Sequence, residues 1–516
     1  MKAKIVSLEN AVKKIKDGSV VAVGGFIGSG HAEAITAEIE NSFLECGSPN
    51  NLTLIYAAGQ GDSKDKGLNH FGHKGLVSKI VGGHWALCPK LQKLAVNNEV
   101  EAYNLPQGII SHMYRDIAAG KPGTISKVGL NTFVDPRLDG GRLNEKTKED
   151  IVKVINIEDK EYLFYKAIPI DVAILRATYA DEDGNATFDK EVATLDATSM
   201  AQAAKNSGGI VILQVEKIVA RGTLDPRKVK IPSIYVDAIV VSKPEAHMQT
   251  YAELYNPAYS GEVKFPLSLT DPLPLDERKI IARRAAMELK PDSVINLGIG
   301  MPEGISSVAN EEGISDTMTL TVESGPIGGV PANGLNFGAS LNPSAILDQC
   351  NQFDFYDGGG LNIAFLGLAQ CDKYGNINVS KFGTKIAGCG GFINITQNAK
   401  KVVYCGTFTA SGLKVEISNG RLNILNEGKV KKFIDTVEQI TFSGDYASKI
   451  NQEVLYITER AVFRLGKDGL VLEEIAPGVD LDNDILKNMT FKPRISENLK
   501  LMDERIFKDE LMGLIL

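Results

Sequence analysis

The chain has 516 residues, 43% of them hydrophobic and 23% charged, with a formal net charge of −8. It is too long for one hydrophobic core and ordinary in polarity, so two or more globular domains are expected. The acidic balance disfavours nucleic acid or an anionic membrane as partner, and no apolar run approaches a membrane-spanning length. In chain order, residues 1–18 lack an apolar signal region and a small-residue cleavage site, which points to a cytoplasmic protein. The spacing of Val6, Leu8, Ala11, Val12 and Ile15 predicts a short amphipathic helix there. Strand-like runs follow at 20–23, 52–56, 172–175 and 210–213. Repeated prolines and tyrosines over 243–276 predict an extended connector, after which Ile280, Ile281, Ala285 and Leu289 mark a helix over 276–289. Further strands are predicted at 294–297, 320–322, 363–366 and 402–405. Short β-branched runs alternating with helical patterns indicate mostly parallel sheets with helices on both faces. Such folds bind ligands beyond the carboxyl ends of their strands.

The two halves share three blocks in the same order. Ser19-Val-Val-Ala-Val-Gly24 resembles Ser293-Val-Ile-Asn-Leu-Gly298, and Thr53-Leu-Ile-Tyr-Ala-Ala-Gly59 resembles Thr319-Leu-Thr-Val-Glu-Ser-Gly325. Residues 175–185 match 366–376 without a gap, aligning Asp181 with Asp372, Gly184 with Gly375 and Asn185 with Asn376. The aspartates read as structural β-turns. Two domains of similar open α/β topology are therefore expected, at 1–245 and 277–516, joined by a linker at 246–276. The first carries about 75 extra residues near 60–170, an insertion expected to supply binding loops.

Most familiar site motifs are absent. The six cysteines form no C-x-x-C pair and read as free, mostly buried thiols; the six histidines read as surface or loop residues, so no metal site is expected. Neither glycine turn, 24–30 nor 298–304, has the dinucleotide spacing, and no G-x-S-x-G elbow makes Ser324 a nucleophile. What remains is a set of glycine turns after strands, able to aim backbone N–H groups at a ligand. With them stands Glu323, expected at the last position of an apolar strand, where the sister strand carries Ala57. A carboxylate is ionised at neutral pH and attacks an activated carbonyl such as a thioester without a general base. Glycine amides can then stabilise the oxyanion.

Glu323-Ser-Gly325, preceded by Asn296-Leu-Gly-Ile-Gly-Met-Pro302 and followed by Gly388-Cys-Gly-Gly391, resembles the second half of a class I coenzyme A transferase. Val23-Gly-Gly-Phe-Ile-Gly-Ser-Gly30, Pro106-Gln-Gly108, Arg115 and Gly120-Lys-Pro-Gly123 resemble its first half. Gly129-Leu-Asn-Thr-Phe-Val-Asp-Pro136 with Gly140-Gly141 is most similar to the fused, single-chain acetate and propionate CoA-transferases. The resemblance covers nearly the whole chain. It implies two CoA-transferase domains with the active site between them, and ping-pong exchange of CoA between an acyl-CoA and a small carboxylic acid. Glu323 would pass through an acyl anhydride and then a glutamyl–CoA thioester. Gly24, Gly25, Gly28, Gly388, Gly390 and Gly391 would serve as oxyanion donors or substrate walls, and Gln107 would orient the small acid or cap its own backbone. Asn296, Gly298, Gly300 and Met301 would lie near CoA. Coenzyme A is then substrate and product rather than a bound cofactor, and a homo-oligomer, dimer or tetramer, is implied. Two other readings stay open: an acyl-CoA hydrolase on the same fold, and a non-catalytic CoA-ester or effector-binding module.

Overall fold

The β-branched runs pair as parallel strands in both halves. The computed structural model describes residues 4–266 and 272–515. Residues 267–271 of the expected connector, and residues 1–3 ahead of the first helix, lie outside the described residues. The chain divides into two compact units. Unit 1 comprises Met1–Phe265, Val322–Asp354 and Phe382–Asn394; unit 2 comprises Pro266–Thr321, Phe355–Lys381 and Ile395–Leu516. The segment with Glu323, numbered in the second half, thus belongs to the unit built on the first.

Unit 1 is built on β1 (Lys4–Ile5), β2 (Val20–Val23), β3 (Leu52–Tyr56), β4 (Val77–Gly82), β5 (Glu101–Asn104), β9 (Val172–Asp181), β11 (Ile210–Val219) and β12 (Ala238–Val241). They run β1-β12-β11-β9-β2-β3-β4-β5, every pair parallel, with β10 (Ala186–Thr187) antiparallel on β9. The helices are α1 (Leu8–Val12), α2 (Glu33–Cys46), α3 (Pro89–Val96), α4 (Gln107–Ala118) and α5 (Ala197–Asn206). Ser7 caps α1 by accepting the Asn10 N–H, and Ala11, Val12 and Ile15 are buried as the spacing predicts. Val21, Leu54, Ile80, Ala102 and Ile174 of the sheet pack with Ile35 and Ile39 of α2 and Leu91 of α3. The insertion expected to supply loops is mostly regular structure. It adds β4 and β5 to the main sheet, because Ile80, Val81, Ala102 and Tyr103 are apolar and buried. It also forms a separate antiparallel sheet from β6 (Gly123–Ser126), β7 (Val152–Ile157) and β8 (Lys160–Lys166).

Unit 2 opens with α6 (Glu277–Ala286), capped by Asp276, which accepts the Lys279 N–H at 3.0 Å. Its Ile280, Ile281 and Ala285 share a core with Ile295, Phe365, Val403 and Ile457. The strands run in the order β14 (Thr319–Thr321), β13 (Val294–Leu297), Ile363–Gly367, Lys401–Cys405, Glu453–Ile457. These five are parallel. The sheet continues through antiparallel Ala461–Gly466 and Gly469–Ile475 and ends on Arg494–Leu501.

The internal repeat is visible in this topology. β3-β2-β9-β11 in unit 1 corresponds to β14-β13-Ile363–Gly367-Lys401–Cys405 in unit 2, and Val23 pairs with Ile174 as Leu297 pairs with Phe365. The Gly24 N–H donates to Ile174 O (3.0 Å) and the Gly298 N–H to Phe365 O (2.8 Å). The matched aspartates close equivalent turns: Asp181 accepts the Asn185 N–H at 2.9 Å and Asp372 the Asn376 N–H at 3.0 Å. One boundary differs from the sequence reading. The strand before Glu323 ends at Thr321, so Glu323 stands two residues beyond it, in a turn, and not at its last position.

Candidate active site

The carboxyl ends of β2, β3, β4 and β5 lie side by side in unit 1 and deliver, in order, the loops at 24–28, 57–60, 83–84 and 105–107. Loop 24–28 is tied down bond by bond. Gly24 donates to Ile174 O, Phe26 to Ser29 O (2.8 Å) and Ile27 to Gly59 O (2.8 Å), while Ile27 O accepts from Gly61 (3.0 Å). Ile27 is thereby held at φ 55°, a conformation β-branched residues avoid and one that stores about 1–3 kcal/mol of strain. The Gly24 N–H is therefore committed to the sheet, whereas those of Gly25 and Gly28 take no partner among the described residues. At Gly28 a Cβ would stand 2.5 Å from the Tyr251 backbone nitrogen, so only glycine fits.

Glu323 sits in a four-residue turn: the Gly325 N–H donates to Val322 O, and the Val322 N–H to Pro326 O, both at 3.0 Å. Both neighbours of the carboxylate are anchored. Val322 packs in an apolar cluster with Phe26, Ile27, Ala58, Leu195 and Phe337. Ser324 is fully buried and donates its hydroxyl to Gly338 O at 2.6 Å, which explains the serine without a nucleophilic role. Glu323 itself is half-buried. A short antiparallel pair, Pro326–Ile327 with Ala345–Ile346, returns the chain so that the Leu347 N–H donates to Gly325 O at 3.0 Å. Gln349 follows two residues later.

Gln107 is the first residue of α4, at the end of β5, and only 2% exposed. It caps nothing in its own loop. Its N–H donates to Gly390 O (2.9 Å), and its side-chain Nε2 donates to Gln349 Oε1 (3.2 Å). Turn 388–391 is held against β4 and β5: the Gly390 N–H donates to Gly83 O (2.8 Å), the Cys389 N–H to Asn104 Oδ1 (2.9 Å), and Gly388 pairs with His84. The Gly390 N–H is thus committed, whereas that of Gly391 takes no partner among the described residues.

The histidines were expected at the surface or in loops: His31, His73, His84 and His247 do lie in loops or turns, but none of the six is exposed. His31, His112 and His247 are buried, and burial pushes the half-buried His84 down to about 4, so its ring stays neutral at physiological pH. A Cβ on Gly390 would stand 3.6 Å from the His84 ring and 3.8 Å from Gln107 Oε1, which places both beside this turn. The signal for His84 was present: it follows Gly82-Gly83 at the end of a Val/Ile strand. Gln349 and Asp196, which reach Gln107 through space, left no such signal.

The expected CoA loop lies in unit 2. Asn296 is fully buried inside the sheet, donating to Thr321 O at 3.3 Å, so its side chain does not face solvent. Gly298 repeats the role of Gly24 at the strand end. Gly300 (φ 90°) faces open space and its carbonyl accepts the half-exposed Arg278 Nη2 at 2.8 Å, while Met301 packs on the core. All six cysteines are free and only Cys46 is exposed. Among the described residues no group of His, Cys, Asp and Glu is arranged to hold a metal, and no helix is long and apolar enough to cross a membrane.

Known proteins resemble this chain over nearly its whole length. The model of the coenzyme A transferase family matches residues 5–242. The chain is 48% identical to the acetate CoA-transferase YdiF of Escherichia coli K12, over 99% of this chain and 96% of that protein. It is 48% identical to the caffeate CoA-transferase of Acetobacterium woodii, over 99% of each. The crystal structure of YdiF from Escherichia coli O157:H7 as a thioester complex with CoA superposes with a TM-score of 0.95 at 47% identity, covering 100% of this chain and 98% of that one.

Proposed function

The chain belongs to the coenzyme A transferase family, and from that premise we propose that Glu323 is its covalent nucleophile. The protein is an enzyme that transfers coenzyme A between an acyl-CoA and a carboxylic acid. The observation that carries the assignment is the fixing of Val322 and Ser324 on either side of a half-buried carboxylate, with Val322 packed against the loop that leaves the Gly25 and Gly28 amides free to donate.

In the proposed course, a Glu323 oxygen attacks the acyl thioester carbonyl. The tetrahedral oxyanion is met by backbone N–H groups, Gly25 and Gly28 being the available donors in their loop and Gly391 in the turn at 388–391. The carbon–sulfur bond breaks, leaving an acyl-glutamyl anhydride and CoA thiolate. The thiolate attacks the glutamyl carbonyl carbon, the first acid leaves, and a glutamyl–CoA thioester remains. An incoming carboxylate reverses these steps and regenerates Glu323. The anhydride and thioester survive only where water is excluded. Gly298, Gly300 and Met301 form the proposed CoA loop, and the half-exposed Arg278, bonded to Gly300 O and paired with Glu303 at 3.2 Å, is the cation we propose to meet a phosphate there.

The acid we propose is short-chain, acetate or propionate, on the likeness to the acetate transferase. The equal identity to a caffeate transferase makes an aromatic acid the second acceptor class to test. We also propose that it works as a homo-oligomer on cytoplasmic CoA esters. The decisive experiment is intact-protein and peptide mass after incubation with acyl-CoA and borohydride. Reduction of the thioester should mark the peptide containing Glu323, and Glu323→Ala should fold, bind CoA and transfer nothing. A mark on another residue overturns the assignment. CoA release without exchange into added acetate, propionate or caffeate supports hydrolysis instead.

A further inference from the structure

Gln107 is held by a chain of buried side chains. Its Nε2 donates to Gln349 Oε1, Gln349 Nε2 donates to Asp196 Oδ2 at 2.7 Å, and Ser111 donates its hydroxyl to Asp196 Oδ1. Asp196 is 5% exposed and Gln349 1%. An ionised carboxylate only accepts hydrogen bonds, so the group that Gln349 turns toward Asp196 must be its NH2. That leaves its carbonyl for Gln107, which must answer with its own NH2. The Gln107 carbonyl oxygen is then left to accept, beside the second N–H of its NH2, and it lies at the Gly390 turn, 3.8 Å from where a Cβ on Gly390 would stand.

We propose that Asp196 is a positioning residue: through Gln349 it sets the amide of Gln107 so that the site is offered a carbonyl acceptor, which selects a substrate N–H donor. This rests on the reading that Gln107 lines the site of Glu323. The free acid is a carboxylate with acceptors only, whereas every acyl-CoA brings the amide N–H groups of its pantetheine arm. On this proposal the Gln107 carbonyl serves the acyl-CoA rather than the small acid. Burial lifts Asp196 to about 7, with Asp348 adding to the rise, while Ser111, His112 and Gln349 pull the other way. The charge of Asp196 also raises Tyr114 and Cys350, and Lys230 pairs with Asp348 at 3.2 Å. Above that value the carboxylate is the acceptor described. Below it the proton competes for the oxygen that Gln349 uses, and the hold on Gln107 weakens.

The test is two-substrate steady-state kinetics on the intact enzyme, with acyl-CoA and acid varied separately from about pH 6 to 8. Gln349→Met cuts the chain without touching the charge and should raise the acyl-CoA KM about tenfold, as expected for one buried hydrogen bond lost with its partner stranded, leaving the acid KM within about twofold. Asp196→Asn still accepts from Gln349, so it should keep the acyl-CoA KM within about threefold of wild type at pH 8 and abolish its rise at lower pH. An acid KM that rises instead, an unchanged acyl-CoA KM in a folded Gln349→Met, or a wild-type pH profile in Asp196→Asn overturns the proposal. Borohydride trapping in wild type separates the two readings: a mark away from Glu323 removes the site itself, while a normal mark with unmoved KM removes only the role of Asp196.

Discussion

Gly325→Ala tests whether the turn geometry, and not only the carboxylate, makes Glu323 competent. Gly325 has φ 131°, and a Cβ built there would lie 2.1 Å from Leu347 O, whereas ordinary contact begins at 3.4 Å. The chain must yield by more than about 1 Å, and the yielding atoms are the backbone that follows Glu323 and Ser324. A shift of about 1 Å at a reacting group costs roughly 10²-fold in rate. Backbone strain itself should cost about 1–3 kcal/mol of stability. Gly261, at φ 79° with nothing within 4 Å of its would-be Cβ, is the control for strain without collision. The assay is CoA exchange between an acyl-CoA and acetate, alongside thermal unfolding and borohydride trapping. Gly325→Ala should lose at least about 100-fold in kcat while remaining folded, with Gly261→Ala near wild type. Exchange by Gly325→Ala within about threefold of wild type refutes the claim that this turn holds the nucleophile in register.

Further outcomes follow from polar groups within unit 1. Arg176 and Glu191, both buried and 2.7 Å apart, form a pair in unit 1, so Arg176→Met should cost about 3–5 kcal/mol in chemical denaturation by stranding Glu191. Burial raises Glu191, but the charge of Arg176 and the contact with His247 outweigh it and hold it at about 2, below its ordinary 4.5. Its contribution to stability is therefore present above pH 4.5 and lost as pH falls toward 2, which a pH series of unfolding midpoints will show as an acid limb reduced in Arg176→Met. His84, lowered to about 4 from 6.5 by burial, should show no ring protonation by NMR at pH 6, and the stability it contributes as a neutral ring is lost as pH falls from 6.5 toward 4. Ser324→Ala leaves Gly338 O without its 2.6 Å donor and should cost about 1–3 kcal/mol, with kcat reduced because the anchor beside Glu323 is gone.

Much of this molecule is written in local pattern. β-branched runs placed the starts of most of the central strands, because burial on both faces of a parallel sheet demands continuous apolar sequence, although β9 and β11 run six residues past the predicted ends and β4 and β5 were not predicted. The internal repeat, with Gly24 and Gly298 at equivalent strand ends, was legible because the same backbone constraint selects the same residue twice. Glu323 stood out as a charge against that repeat, where its sister position is alanine. Tertiary structure alone decided the rest. Only the folded chain spends the amides of Gly24 and Gly390 on neighbouring carbonyls, while those of Gly25, Gly28 and Gly391 take no partner among the described residues. Only it brings Asp196 and Gln349 to Gln107 and sinks Asn296 into the sheet, since hydrogen bonds between residues 153 and 242 positions apart leave no mark in local sequence. Composition and periodicity report which surfaces must be buried; the partner that each polar atom finds is settled by which strand ends the topology sets side by side.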